Sequence, residues 1–209
     1  MRLLMAGVCP PEKIIEPPQG KETVTMSKFI VHTIESAPEG SKPTLQKLKD
    51  SVGLIPNLAA VMANAPALIE TFVAAREAYQ SSSLSAIERE VVSITNAVAN
   101  NCAYCVAAHS TFAQMADTPP TVLAALRAGK APADPRLKAL SDFSRKLTTT
   151  RGQISEADLQ TFLAEGFTAA QALEVVVGGA VSLLANYTNH LAHAPLDEFL
   201  QPQAWKASA

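Results

Sequence analysis

From Pro43 onward, apolar residues recur three and four positions apart, the spacing of one helix face. Ala65-Pro66 opens a predicted helix running to Tyr79, with Leu68, Phe72 and Ala75 as its apolar stripe. Ser85-x-x-Glu88 is a capping box that starts the next, and Ile87, Val91, Ile94 and Val98 give it a buried face. Shorter helices are expected over Thr44–Val52 and Asn57–Asn64, with Asn57 as a cap after Pro56. Another runs from about Cys102 to Met115, and a short one starts at Thr118-Pro119-Pro120 and is ended by Gly129. Asp134-Pro135 starts a helix with Leu137, Leu140, Phe143 and Leu147 inside, and Ser155–Glu165 follows, stopped by Gly166. A second capping box, Thr168-x-x-Gln171, leads a helix carrying Glu174 to about Leu184, and Pro195 ends the last strongly patterned stretch. Only Lys28 to Ile34 alternates like a short extended segment, with His32 read as a surface residue. Residues 1–26 are rich in proline without either period and read as a flexible extension; residues 27–209 read as one domain. The tail through Trp205 is weakly patterned, to fray or to pack on a partner chain.

Composition agrees with an all-α fold: alanine is abundant and aromatics make up only 5%. At 209 residues and 48% hydrophobic, the chain suffices for one sizeable core or two small ones sharing an interface. A net charge of -2 without basic runs gives no electrostatic footprint for nucleic acid. No apolar run free of charges or turn signals reads as a membrane span, and the start lacks a convincing secretory signal, so a cytoplasmic, reducing location is expected. Three cysteines, Cys9 among them as an unpaired tail residue, make no disulfide framework, and Cys-x-x-Cys in that setting points to catalysis or metal binding.

The chemistry concentrates in EREVVSITNAVANNCAYCVAAH, residues 88–109. Cys102, Cys105 and His109 fall at i, i+3 and i+7 and share a helix face. With Asn101 as N-cap, both cysteines lie in the first turns, where free N–H groups and the helix dipole favour a thiolate. Glu90 would lie about 18 Å from Cys102 along a continuous helix. A helical hairpin breaking at Asn100-Asn101 instead has near-equal arms and sets Glu90 opposite His109. The acid then orients the histidine and the histidine takes a thiol proton.

These residues resemble the carboxymuconolactone decarboxylase-like, alkylhydroperoxidase-D-like family, whose redox branch carries a Glu, then Cys-x-x-Cys, then x-x-x-His on an all-helical fold. The resemblance covers most of residues 27–195. It implies Glu90 and His109 as the proton relay, Cys105 as the peroxide-reactive cysteine and Cys102 as its exposed resolving partner. It further implies a thiol-dependent peroxidase or disulfide oxidoreductase acting on a small hydroperoxide, with no bound cofactor. Reduction would come from an external dithiol such as a lipoyl group, or from a thioredoxin-like protein; a partner peroxidase is also implied, as are homo-oligomers, trimers or multiples of them. This chain departs from the redox members in having Tyr104 where they have a second histidine between the cysteines. Tyr104 is read as packing against the next subunit.

Shifting the motif by 84 residues lays Glu90, Cys102, Cys105 and His109 on Glu174, Asn186, Asn189 and His193. The chain is therefore expected to repeat one helical-hairpin unit, over roughly 66–116 and 135–195. Glu174 and His193 would form a structural pair, and His190 a solvent or interface residue. Two other functions stand beside the redox one: a cofactor-free decarboxylase or isomerase using His109 and Glu90, and a non-catalytic or zinc-binding oligomeric protein.

Overall fold

The computed structural model describes residues 28–206, so the expectations for residues 1–26 and Cys9 lie outside the described residues. Within them the chain is all-helical, with no strand; Lys28 to Ile34 is irregular, and His32 is buried, its Nδ1 3.2 Å from the Ser36 hydroxyl. The helices are α1 (Lys42–Val52), α2 (Asn57–Met62), α3 (Pro66–Gln80), α4 (Ala86–Ala99), α5 (Ala103–Met115), α6 (Pro120–Arg127), α7 (Pro135–Thr149), α8 (Glu156–Ala164) and α9 (Ala169–Ala192). A 3-10 turn, Glu198–Gln203, follows.

The middle of the fold is α4, whose Val91, Val92, Ile94 and Ala97 are fully buried among α5, α7 and α9. Its start is the expected capping box: Ser85 Oγ accepts from the Glu88 amide and Glu88 Oε2 accepts from the Ser85 amide. The other Glu88 oxygen pairs with Arg136 at 2.8 Å, and Arg136 lies over the Phe167 ring. Asp134 and Ser155 cap α7 and α8, and Thr168 with Gln171 boxes the start of α9. Two apolar clusters result. One joins α1, α2, α3 and α5 with Leu200; the other joins α4, α6, α7 and α8 with the first half of α9, and Val98 touches both.

The expected second hairpin is absent from its predicted position, because α9 runs unbroken for 24 residues through Asn186. Glu174 and His193 are therefore about 28 Å apart along one helix. Glu174 instead takes hydrogen bonds from the Ser83 amide and hydroxyl, while His193 ends α9 in the left-handed region. What keeps α9 straight is packing: Gly178 lies so close to Tyr79 of α3 that an added Cβ would come within 2.6 Å of the ring. Residues 175–196 carry no acidic or basic side chain other than histidine, and α9 is the one helix among the described residues long and apolar enough to cross a membrane, by length and composition. Here the helix packs along α3 and α4.

The tail lies on its own chain. Trp205 Nε1 donates to the Arg127 carbonyl, Arg127 donates to the carbonyls of Gln203 and Ala204, and Leu200 is buried. Asn57 is the first residue of α2 rather than its cap; the Asp197 carboxylate accepts from its amide instead.

Candidate active site

The break between α4 and α5 falls at Asn100-Asn101 as expected, but by different chemistry. Asn101 is not an N-cap: it sits at φ 55, the left-handed position that asparagine tolerates better than most residues. Its amide bonds the Val98 carbonyl at 3.0 Å, and the Cys102 amide bonds the Ala97 carbonyl at 2.8 Å, a Schellman closure of α4. Cys102 itself then caps α5, its Sγ accepting from the Cys105 amide at 3.4 Å.

The two arms of this hairpin bring Glu90 and His109 together, with His109 Nδ1 2.8 Å from Glu90 Oε2. The pair is half-buried, and the imidazole edge meets Phe112. Cys105 lies one helical turn before His109 on α5. All four expected residues thus belong to one hairpin. Behind Glu90 stands a residue the motif did not flag, Arg76 of α3. Burial lowers the pKa of its guanidinium, and the charges of Glu90 and Glu77 raise it again.

Both cysteines are reduced, and both are covered: Cys102 is 0% exposed and Cys105 2%. The expectation of an exposed Cys102 is thereby corrected. Its cover comes from α9, whose Ser182, Asn186 and Asn189 lie at i, i+4 and i+7 on one face. Asn96 Nδ2 donates to Ser182 Oγ, Asn100 Nδ2 donates to Asn186 Oδ1 at 2.8 Å, and Asn189 Nδ2 donates to Cys102 Sγ at 3.6 Å. The 84-residue shift picked out Asn186 and Asn189, but as counterparts of the cysteines and not as their neighbours.

The two sulfurs differ electrostatically. The Cys102 thiol is held below its ordinary pKa, first by the hydrogen bond from the Cys105 thiol and then, against the cost of burial, by the Cys105 amide and the Asn189 and Asn186 side chains. Cys105 is pushed well up, because it donates to Cys102, is buried and faces its negative charge. The Tyr104 hydroxyl is engaged away from the sulfurs. Tyr104 is buried within its own chain, its hydroxyl donating to Asp197 Oδ2 and accepting from the Leu58 amide. His190, largely exposed, reaches the Asn101 carbonyl with Nε2 at 3.4 Å. Among the described residues, no three His, Cys, Asp or Glu side chains converge closely enough to hold a metal ion.

One helical hairpin in an all-α fold thus carries a buried pair of thiols and a carboxylate–imidazole pair. Residues 66–143, from α3 into α7, match the carboxymuconolactone decarboxylase family. The fold is that of the alkylhydroperoxidase AhpD core of an uncharacterized peroxidase-related protein from Ralstonia eutropha JMP134, with 24% identity, 87% of this chain and 98% of that one covered, and a TM-score of 0.74. An uncharacterized peroxidase-related protein from Silicibacter sp. TM1040 is similar at 20% identity over 87% and 96% of the two chains, with a TM-score of 0.69. A cysteine-to-alanine variant of the debrominase Bmp8, in complex with 2,3,4-tribromopyrrole, is similar at 13% identity over the same shares, with a TM-score of 0.67. No curated protein matches the chain. Residues 66–143 thus resemble the carboxymuconolactone decarboxylase family, and the chain has the AhpD-like fold.

Proposed function

We propose that this protein is a thiol-dependent hydroperoxidase in which Cys102 is the nucleophile and Cys105 the resolving thiol. The observation that carries this is the convergence of donors on Cys102 Sγ, from the Cys105 amide at the head of α5 and from Asn189 of α9. This order is the reverse of the one the family resemblance implies. The Cys102 thiolate attacks the terminal, hydrogen-bearing oxygen of a hydroperoxide; the S–O bond forms, the O–O bond breaks, and the alkoxide leaves to take a proton from water. Cys105 then attacks the sulfenic sulfur, forming the disulfide and releasing water.

The second step needs a base, since Cys105 is the thiol that the site keeps protonated. His109, one turn away and held by Glu90, supplies it, and the proton passes to the departing hydroxide. Two electrons from an external dithiol or a thioredoxin-like protein return the pair to its reduced state. We further propose that the protein works as a homo-oligomer in a reducing compartment.

The reading is tested by counting free thiols on the reduced protein before and after one equivalent of tert-butyl hydroperoxide. Loss of two of the three thiols in the parent, and no disulfide in Cys102→Ser or Cys105→Ser, is the expected outcome. Unchanged thiols in the parent would overturn it. Turnover of a lactone or keto acid that survives Cys102→Ser would favour the decarboxylase or isomerase chemistry instead.

A further inference from the structure

Along the polar face of α9, two of the three residues have their oxygens satisfied. Ser182 Oγ accepts from Asn96, and Asn186 Oδ1 accepts from Asn100. Asn189 differs: its Nδ2 donates to Cys102 Sγ, while its Oδ1 is buried and has no hydrogen-bond partner. Buried amide oxygens are nearly always satisfied, and one left open directly beside a nucleophilic sulfur points to a donor that arrives with the substrate. Because the amide is planar, anchoring its nitrogen on the sulfur fixes the oxygen close to the reacting centre.

We infer that Asn189 is a substrate-binding residue of this site, its amide oxygen accepting the O–H of a hydroperoxide whose hydroxyl oxygen the Cys102 sulfur attacks. The inference rests on the peroxidase reading and deepens it, since it names the feature recognised. In that attack the oxygen that bonds to sulfur is the one carrying hydrogen, so an acceptor adjoining the sulfur meets that hydrogen on the productive approach. Once the sulfenic acid has formed, the same oxygen accepts from the S–OH group and holds it until Cys105 attacks. Peroxides with a free O–H are thereby favoured over dialkyl peroxides and over disulfides, which have no such donor.

The test compares two small thiol reagents on the full chain: tert-butyl hydroperoxide, which has the donor, and methyl methanethiosulfonate, which has none. Rates at Cys102 are measured across pH and compared at the thiolate plateau. Asn189→Leu, near in size without donor or acceptor, is expected to slow the hydroperoxide reaction at least tenfold and the thiosulfonate reaction less than threefold. Asn189→Asp is isosteric, keeps an acceptor and loses the amide donor. It should shift both profiles to higher pH and keep the ratio of the two rates within threefold of the parent, and it reads out independently if the leucine variant fails to fold. Equal losses with both reagents in Asn189→Leu, or the same fall in ratio in Asn189→Asp, would overturn the assignment and leave Asn189 as a donor to sulfur only. A parent that reacts with the thiosulfonate and not with the hydroperoxide would instead overturn the peroxidase reading itself.

Discussion

Cys102 closes one helix and opens the next: its amide completes the Schellman turn of α4 while its sulfur caps α5. Thiol acidity and the hairpin turn therefore depend on the same backbone, and Asn101 supports both by taking the left-handed conformation. Asn101→Gly should leave stability and alkylation rate near those of the parent. Asn101→Val, β-branched, should cost about 1–2 kcal/mol and raise the Cys102 thiol pKa, as urea unfolding and the pH profile of iodoacetamide alkylation would show. In the parent that profile should have its midpoint below the ordinary thiol value of about 8.5. At the relay, His109→Gln should spare the first step and slow disulfide closure by roughly a hundredfold or more, so that sulfenic acid builds up on Cys102. Equal slowing of both steps would place the imidazole at Cys102 instead.

Among the elements, α9 decides the most and is the least legible in the sequence. Local chemistry announced the starts of α4, α7, α8 and α9 through Ser85, Asp134, Ser155 and Thr168, because caps act within one turn. It announced the Glu90–His109 contact too, since equal arms about Asn100-Asn101 fix which residues face each other. It did not announce that α9 passes straight through Gly178, Gly179 and Asn186, where helix propensity is low, because tertiary packing on Tyr79 and α4 overrides propensity. Nor could spacing show Asn189 at Cys102, a contact across 87 residues between separate helices. The close approach gives a direct check: Gly178→Ala forces Cβ into the Tyr79 ring and should destabilise the protein by about 1–3 kcal/mol. Thermal unfolding would register that as roughly 2–4 °C per kcal/mol, whereas Gly179→Ala, with ordinary contact space, should be neutral or stabilising.

At the scale of the molecule, α4 links the two apolar clusters to the dithiol. Its N-terminal anchor is Glu88, held by Ser85 and Arg136, and its C-terminal end is the cysteine turn. Burial raises the Glu88 carboxyl pKa, but the Ser85 amide and hydroxyl and the Arg136 guanidinium outweigh it and hold the pKa below the usual glutamate value. A depressed carboxyl contributes stability above its unfolded pKa, about 4.3, and that contribution is lost as pH falls through the lower folded value. The melting temperature of the parent should fall steeply below about pH 4, and Glu88→Gln should start lower and fall less over that range. The most direct test of the account is the site of first oxidation. Cys105→Ser and Cys102→Ser would each be treated with one equivalent of tert-butyl hydroperoxide and with dimedone, and the adduct mapped by mass spectrometry. A sulfenic-acid adduct is expected on Cys102 in Cys105→Ser, with at least tenfold less on Cys105 in Cys102→Ser. An adduct that forms readily on Cys105, with Cys102 unreactive when alone, would contradict it.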